Sequence, residues 1–455
     1  MQESDQTWLG KIPGDWLLSR AGGLFKERRE KVSDKEFPPL SVTKHGIVPQ
    51  LENAAKTDDN DNRKKVVSGD YVINSRSDRK GSSGLSRLTG SVSLINTVIT
   101  PVGIDPFFCN HLLRSVPFQE EYYRWGKGIV ADLWSTNFSD LKNIKIPVPN
   151  PVEQRQIAAY LNRETAKIDR LIAKQQKLIK LLQEKRQAVI SQAVTKGLDP
   201  NVKMKDSGVE WLGEIPVHWS KTKIKWNCWT TSGGTPDSKN IEAFYDGQIP
   251  WLRTLDLNDS VMETAEVYIT EEALKATACK MLPKDTLLVA MYGGSGTIGK
   301  NARLGFASTC NQAICAILPS GKISPNFLHF YLKYYRPFWM VDAVGTRKDP
   351  NINQDQVRNL EFPLPSLGEQ EEIGEFIERE INKIDKLKTK AQGSIELLKE
   401  HRQALITAAV TGKIDVRGLV TDEEVAALDA DPALETTEED FESEVAEADY
   451  ITEEE

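Results

Sequence analysis

A glycine-rich run in the second half of the chain has the spacing of a phosphate-binding loop. Gly294-Ser-Gly-Thr-Ile-Gly-Lys300 satisfies GxGxxG and nearly all of a Walker A motif. Both motifs need a following helix, whose N-terminal amides hold the phosphate. Asn301 stands where the Walker A motif has the Ser or Thr that ligates magnesium, and residues 302–318 are β-rich with a turn. We therefore interpret the run as a hairpin loop and not as a nucleotide site.

Two further catalytic patterns are incomplete. Asp105-Pro-Phe-Phe108 and Asn150-Pro-Val152 both miss the third residue of the amino-methyltransferase motif, and no glycine-rich strand–helix turn precedes either of them. Asp70 with Asp78-Arg-Lys80 imitates a metal-dependent nuclease, but one short segment supplies every ligand. A turn with surface charges explains that segment better. The sequence therefore predicts no catalytic site in this chain.

Histidine and cysteine are too scattered to suggest a metal site. The five cysteines include no CxxC pair, so neither a disulfide framework nor a zinc site is predicted. The histidines share no metal-ligand spacing; they are His45, His111, His218, His329 and His401. No apolar run approaches the ~18 residues of a membrane span, and the first residues lack a signal-peptide pattern, which predicts a cytoplasmic protein that binds no membrane.

Charge is distributed very unevenly along the chain. The formal net charge is -8, yet all 58 Lys and Arg residues lie at or before Arg417, and 16 of the 66 acids lie after Thr421. Residues 1–420 thus carry 58 bases against 50 acids, a balance that suits binding to phosphates. Residues 421–455 have few large apolar residues and like charge throughout, so we predict a disordered acidic tail. For this tail a solubilising role is favoured over that of a DNA mimic.

The chain is an internal duplication. Trp8-Leu-Gly-Lys-Ile-Pro-Gly-Asp-Trp16 recurs as Trp211-Leu-Gly-Glu-Ile-Pro-Val-His-Trp219, at an offset of 203 residues. Residues 147–199 recur as residues 363–415 without a gap, at an offset of 216 residues, and 25 of the 53 positions are identical. Each half is therefore an opening motif, a divergent body and a closing block, and such repetition is decisive for the architecture.

The closing blocks predict two long helices, each with one apolar stripe. Prolines at the start of each block lie before the predicted helix or in its first turn, where they are tolerated. A stripe of this length needs a partner, and its own duplicate presents a matching one, so we expect the two helices to pair antiparallel about a pseudo-twofold axis. The expected pairing and partner-binding residues are Ile157, Leu161, Ile168, Leu171, Leu178, Leu182, Val189, Ile373, Ile377, Ile384, Leu387, Leu398 and Leu405. A generic coiled-coil spacer would explain the stripes but not the attachment of each helix to its own body.

The fold class is predicted as α+β, with two similar mixed α/β bodies joined by two long antiparallel helices. The predicted divisions are residues 1–150 for the first body, 151–198 for the first helix, 199–208 for a linker, 209–366 for the second body, 367–412 for the second helix and 413–455 for the tail.

Basic, hydroxyl, amide and glycine residues cluster on both bodies. Arg can form a bidentate hydrogen bond with guanine, and Asn and Gln can form one with adenine. Glycine lets the protein backbone approach the DNA closely. Singly, each of these residues is more often a solvated surface or turn residue; as clusters on duplicated, divergent bodies they indicate two readers of a split DNA target. The candidates are Arg63, Lys64, Arg76, Arg79, Lys80, Ser82, Ser83 and Arg87 in the first body, and Ser232, Gly233, Thr235, Arg253, Tyr292, Lys300, Asn311, Gln312, Arg347 and Lys348 in the second.

Several motifs resemble the specificity subunits of type I restriction–modification enzymes. Glu153-Gln154, Leu181-Leu-Gln-Glu-Lys-Arg-Gln187 and Ala193-Val-Thr-Lys-Gly-Leu-Asp199 are similar to the first conserved region of that family. Ser232-Gly-Gly-Thr-Pro236 and Gln248-Ile-Pro-Trp251 are similar to its second target-recognition domain. The resemblance covers about residues 5–415 and leaves out the acidic tail.

The resemblance implies a DNA-binding subunit without cofactors of its own. Two target-recognition domains would each read one half of a bipartite site in double-stranded DNA. Two methyltransferase subunits that use S-adenosylmethionine would bind the helices, and motor–nuclease subunits that use ATP and magnesium would complete the restriction complex. Two alternatives remain open: a related system whose partner fuses methyltransferase and nuclease, and a coiled-coil scaffold with two protein-binding domains.

Overall fold

The computed structural model of the chain describes residues 1–51, 61–76, 79–127, 135–293, 296–343 and 351–430. They form two compact units. The first unit comprises residues 1–175 together with the chain from Gly393 onwards, and the second comprises residues 176–392. Each of the two long helices therefore has one end in each unit.

The body of the first unit is mixed α/β. Its strands are β1 Gln2–Glu3, β2 Lys11–Ile12, β3 Leu17–Arg20, β4 Phe25–Glu27, β5 Lys31–Val32, β6 Leu40–Val42, β7 Ile47–Pro49, β8 Arg63–Val66, β9 Tyr71–Asn74, β10 Ser83–Leu85, β11 Gly90–Val92, β12 Asn96–Pro101 and β13 Lys145–Val148. Its helices are α1 Pro106–Arg114, α2 Val116–Arg124, α3 Phe138–Leu141 and the first part of α4 Pro151–Lys196. The larger sheets have the strand orders β10-β9-β12-β4 and β11-β8-β5. The main core lies between the first of these sheets and α1, α2 and α4.

The second unit is also mixed α/β. Its strands are β14 Met204–Asp206, β15 Glu214–Pro216, β16 Ser220–Lys223, β17 Thr230–Ser232, β18 Tyr245–Leu252, β19 Val261–Met262, β20 Val267–Ile269, β21 Leu287–Ala290, β22 Asn301–Leu304, β23 Thr309–Cys310, β24 Ile314–Ile317 and β25 Glu361–Leu364. Its helices are α5 Ile224–Asn227, α6 Ile241–Phe244, α7 Glu271–Ala276, α8 Pro325–Ala343, α9 Gln354–Asn359 and the first part of α10 Leu367–Val410. A five-stranded sheet, β17-β24-β21-β22-β19, lies beside a three-stranded one, β20-β18-β23.

The sequence repeat corresponds to a repeat of strand pairing. In the first unit, β3 follows the opening motif and pairs antiparallel with β13, which leads into α4. In the second unit, β16 pairs in the same way with β25, which leads into α10. Each divergent body is therefore an insertion between two paired strands, and this pairing brings the opening motif to the start of the long helix.

Capping residues mark the ends of the two long helices. Asn150 caps α4, since its side-chain oxygen accepts a hydrogen bond from the backbone N–H of Glu153 at 3.0 Å. Gly197 and Gly412 follow the ends of α4 and α10 with φ of 76° and 70°, the left-handed conformation that glycine adopts most readily after a helix. Each helix is two residues shorter at its C-terminal end than predicted.

Within each unit the helix segments pack antiparallel. In the first unit, Ile157 and Leu161 of α4 share a core with Ile406 and Val410 of α10. In the second unit, the equivalent positions pack together with the roles of the two helices interchanged. Ile373 and Ile377 of α10 share a core with Ile190 and Val194 of α4.

An ion pair between the helices is duplicated in the same manner. Arg402 pairs with Asp169 at 2.8 Å in the first unit. Arg186 pairs with Asp385 at 2.9 Å in the second unit. Because residues 186 and 402, and residues 169 and 385, are each 216 positions apart, the two ion pairs are one contact made twice.

The predicted pairing residues divide into buried and exposed sets. The buried ones are Ile157, Leu161, Ile168, Leu182, Ile373, Ile377 and Ile384. Val189, Leu398 and Leu405 are half-buried. Leu171, Leu178 and Leu387 are exposed, so these three do not contribute to the buried helix pairing. The sequence analysis missed Ile190, Ile381, Ile395 and Ile406, which are buried.

Two predictions of irregular structure need correction. The predicted linker, residues 199–208, contains β14, which pairs with β15 inside the opening motif of the second half. The predicted disordered tail contains a helix, α11 Asp422–Ala430, and its Leu428 is only 3% exposed. Residues 431–455 lie outside the described residues. In the described ranges, no helix combines the length and the apolar character needed to cross a bilayer.

Candidate nucleic-acid interface

The exposed candidates of the first unit surround one hairpin. β9 and β10 are antiparallel neighbours, and the segment between them carries Arg76, Arg79 and Lys80. The Lys80 ammonium lies over the Tyr123 ring, 5.0 Å from its centroid. Arg87 follows β10, and its guanidinium lies over the Phe107 ring at 5.1 Å. The hairpin thus presents four cations, of which Arg76, Arg79 and Arg87 are exposed.

Four other candidates of the first unit are held by the fold. Arg63 is 5% exposed because it lies on β8, between β11 and β5, and its Nε donates to Ser91 Oγ at 2.8 Å. Lys64 donates from Nζ to the Asn96 carbonyl at 2.7 Å, and burial lowers its pKa. Ser82 and Ser83 are buried as well. Burial of Arg63, Ser82 and Ser83 and the bond of Lys64 to a backbone carbonyl give these side chains structural roles, and their contact with DNA stays a prediction.

In the second unit, the structure brings two predicted segments together. Thr235 Oγ1 donates to the side-chain oxygen of Gln312, and both residues are exposed. Gly233 lies against the backbone of Cys310, where a Cβ would stand 1.6 Å from the carbonyl oxygen. Only glycine allows this approach. Gly233 therefore shapes the surface that Thr235 and Gln312 present.

The remaining candidates of the second unit vary in accessibility. Arg253 is paired with Asp256 at 2.9 Å and with Glu266 at 3.4 Å, and the bond to Asp256 raises its pKa. Tyr292 is 40% exposed. Ser232, Lys300 and Asn311 are half-buried. Arg347 and Lys348 lie outside the described residues.

Two exposed tryptophans in the second unit were not among the predicted site residues. Trp226 is 63% exposed and Trp229 is 84% exposed, and Lys223 and Lys225 lie 5.7 and 5.9 Å from the Trp226 ring centroid. Lys280 was missed too, although its Nζ donates to Thr231 Oγ1 at 3.2 Å, on the same strand as Ser232. The mixture of lysine and tryptophan in residues 223–229 is the sequence signal that could have indicated an exposed aromatic surface.

The residues examined for catalysis have structural partners. Asp70 accepts a hydrogen bond from Arg28 at 2.6 Å and another from Thr100 at 2.7 Å. Asp105 caps α1 through the backbone N–H groups of Phe107 and Phe108. His111 is buried against Asn162, and that burial lowers its pKa to about 4, which keeps the ring neutral.

The glycine-rich run leads into a strand. β22 begins at Asn301, so the helix that a phosphate-binding loop requires does not follow, as predicted. Gly294 and Ser295 lie outside the described residues. Among the described residues, no group of three or more His, Cys, Asp or Glu side chains is placed to hold a metal ion.

One repeated glutamine ties each body to its long helix. Gln154 Oε1 accepts a hydrogen bond from the Asp105 backbone N–H at 2.7 Å, while its Nε2 donates to the Pro149 carbonyl at 2.8 Å. Gln370 makes the same two bonds, from the Ser324 N–H at 2.9 Å and to the Pro365 carbonyl at 3.0 Å. The repeated glutamine therefore anchors a divergent body to a long helix in the same way in both units.

Comparison with known proteins agrees with this arrangement. A family model described as type I restriction modification DNA specificity domain matches residues 216–397. The chain is 26% identical over 257 residues to the EcoR124I/EcoR124II specificity subunit of Escherichia coli. This match covers 54% of this chain and 57% of that protein. It is 22% identical to the putative MjaX specificity subunit of Methanocaldococcus jannaschii, with 90% of this chain and 96% of that protein covered. The chain belongs to the type I specificity subunits.

Solved structures of type I specificity subunits share the fold. A chain from a study of complex assembly and conformational transition of the type I R-M system matches with a TM-score of 0.70 at 17% identity, over 89% of this chain and all of that one. The HsdS subunit from Thermoanaerobacter tengcongensis matches with a TM-score of 0.54 at 18% identity, over 89% and 98%. The predicted fold class, mixed α/β bodies on two long helices, is thus confirmed.

Proposed function

We propose that this chain selects the DNA target of a type I restriction–modification complex, with each unit reading one half of a bipartite site. The complex would methylate adenine at that site to maintain the modification of the host DNA. It would cut DNA that lacks the modification. The chain itself binds and orients the duplex, and its partners supply the chemistry.

The duplicated attachment of divergent bodies carries this proposal. The contacts of Gln154 and Gln370, and the ion pairs of Asp169 and Asp385, are the same in both units. The exposed polar surfaces differ: the first unit offers arginine and lysine on a hairpin, and the second offers Thr235, Gln312 and two exposed tryptophans. Cationic side chains contact phosphates, and guanidinium and amide groups form hydrogen bonds with base edges. Two different polar surfaces on the same repeated scaffold therefore suit a DNA target with two unlike halves.

Exposed leucines on the helices support partner subunits in two copies. Leu171 and its repeat equivalent Leu387 are 46% and 51% exposed, and Leu181 and its equivalent Leu397 are 51% and 67% exposed. Each unit thus presents one leucine of each pair. Apolar side chains exposed at equivalent places on a polar helix mark a protein contact, and two equivalent contacts fit two methyltransferase subunits.

The proposal assigns every cofactor to a partner. S-adenosylmethionine would bind the methyltransferase subunits, and ATP and magnesium would bind the motor–nuclease subunits. A methyltransferase that acts on adenine flips the base out of the duplex into its own pocket. The role of this chain would be to place the adenine at that pocket.

Selection from a random duplex pool tests the proposal against a protein-binding scaffold. The full-length chain, purified with its co-expressed partner subunits, is immobilised and challenged with randomised double-stranded DNA at about 0.15 M salt. We expect enrichment of two short defined blocks separated by an undefined spacer of fixed length. A scaffold enriches nothing, and enrichment of one continuous block would exclude two separate readers. A partner that fuses methyltransferase and nuclease would be recognised from the composition of the purified complex.

A further inference from the structure

The acidic helix α11 is docked on the first unit by an apolar contact. Leu428 packs against Ala158 and Ala159 of α4, with Val425 and Phe107 at the edge of the same cluster. An isolated helix of nine residues is marginal in water, so this packing is what holds α11 in place. Its first turn is closed locally, because the backbone N–H of Glu424 and the side chain of Thr421 are hydrogen-bonded at 3.3 Å.

Two arginines of α4 are occupied by the docked helix. Arg163 Nη1 donates to Glu424 Oε1 and to the Leu419 carbonyl, both at 3.0 Å. Arg155 Nη2 donates to Asp429 Oδ2 at 2.6 Å. α11 carries four acids and no base. Arg163 also pairs with Glu164 at 2.7 Å, and Arg155 lies 3.8 Å from Asp105. The acids of α11 add to these partners and occupy further donors of both guanidinium groups.

The docking face adjoins the candidate DNA surface of the first unit. Phe107, which borders the cluster around Leu428, is also the ring under the guanidinium of Arg87. Arg87 is one of the exposed cations around the β9–β10 hairpin. Phe107 thus borders both the cluster that holds α11 and a cation that we expect to meet DNA, which places the docked helix beside the candidate DNA surface.

The second unit lacks this docking face. The repeat equivalents of Arg155, Ala158 and Ala159 are Glu371, Gly374 and Glu375. Phe107, the second residue of α1, is matched by Asn326, the second residue of α8. Glutamates would repel an acidic helix, and neither glycine nor asparagine replaces the apolar contact. Docking is therefore specific to one half of an otherwise duplicated molecule.

We propose that α11 is a built-in competitor of DNA, which occupies Arg155 and Arg163 and so weakens phosphate binding at the first unit. This inference rests on the proposed function. Undocking α11 should release the donors of Arg155 and Arg163 that it occupies, so that each arginine can contact a phosphate, and each phosphate contact steepens the dependence of log K on log salt by about 0.9. The slope should therefore steepen by about two units. The gain in affinity should then be about tenfold larger at 50 mM than at 200 mM salt.

Neutral variants separate docking from total charge. Leu428→Asn removes the apolar anchor, and Ala427→Asn is the matched control at an exposed position of the same helix. Binding of a fluorescent duplex lacking the target site is measured with the full-length chain between 50 and 200 mM salt, and amide hydrogen exchange of residues 421–430 verifies undocking. We expect tighter binding and a steeper slope for Leu428→Asn, wild-type behaviour for Ala427→Asn, and loss of the gain in Leu428→Asn/Arg155→Gln/Arg163→Gln.

Three results would overturn the inference. In the first, α11 undocks in Leu428→Asn while the slope stays that of wild type, which would make the contact structural or leave the face to a protein partner. In the second, the triple variant keeps the gain, so that the effect does not pass through the two arginines. In the third, no variant, wild type included, binds any duplex, and then the proposed function fails together with this inference.

Discussion

Exchange of the second body changes one half of the recognised site and leaves the other half intact. In the variant, residues 224–360 are replaced by the equivalent segment of another type I specificity subunit. The boundaries fall just inside the paired strands β16 and β25, where Lys223 lies opposite Glu361. The long helices and Gln370 keep their residues, and the exchanged segment must bring an equivalent of the Ser324 N–H that donates to Gln370, together with its own half of the core.

The effect of this exchange is expected to be large because base-pair preferences are roughly additive. Each mismatched base pair costs about 1–3 kcal/mol, which is about 5- to 150-fold in affinity. A half-site of a few changed positions is thus lost altogether. Selection from the random duplex pool reads out both halves at once, together with the spacer between them.

The reciprocal exchange is the matched control. Residues 21–144 lie between β3 and β13, where Arg20 pairs with Lys145, so the first body can be replaced at equivalent boundaries. It should change the other half-site only. Loss of both half-specificities in either chimaera that retains its helices would refute independent reading by the two units.

Aspartate at the exposed leucines of one unit should remove one of the two methyltransferase subunits that we propose bind the helices. The variant Leu171→Asp/Leu397→Asp alters the first unit, and Leu181→Asp/Leu387→Asp alters the second. Burying a leucine contributes about 1.5–3 kcal/mol, so losing two of them weakens a contact by more than about a hundredfold. A charge in an apolar contact adds to that loss. Native mass spectrometry of the co-purified complexes should show one copy where the wild type has two.

Exposed alanines on the same helices serve as controls. Ala404→Asp in the first unit and Ala188→Asp in the second add the same charge at equivalent exposed positions. These variants should keep both copies. If the double leucine variants also keep both, the leucines do not form the contact, and the partner subunits bind elsewhere.

The long helices and the duplication could be predicted from the sequence because the information is local or repeated. Prolines mark the beginnings of α4 and α10, and Gly197 and Gly412 follow their ends. The pairing partner was also deducible, since the duplicate stripe is present in the same chain. Which residues of the stripe are buried could not be deduced. The heptad pattern includes Leu171 and Leu178, which are exposed, whereas Leu182 and Ile190 are buried.

The candidate site and the tail depend on contacts that are remote in sequence. Arg63 follows a polar segment and resembles a surface cation, but its strand is central in a sheet. The composition of the tail indicates disorder, yet Leu428 finds an apolar patch 270 residues away, at Ala158. The residues around Leu428 in the sequence do not predict this contact. Spatial placement, and not residue type, decides these cases.

Genome-wide mapping of methylated adenines tests the central claim most directly. The mapping compares a strain that carries this chain and its partner subunits with the same strain lacking only this chain. We expect one bipartite motif, two defined blocks around an undefined spacer, to be methylated in the first strain and unmethylated in the second. An identical set of methylated adenines in the two strains, with the chain expressed and bound to its partners, would contradict the claim that the two units select the DNA target.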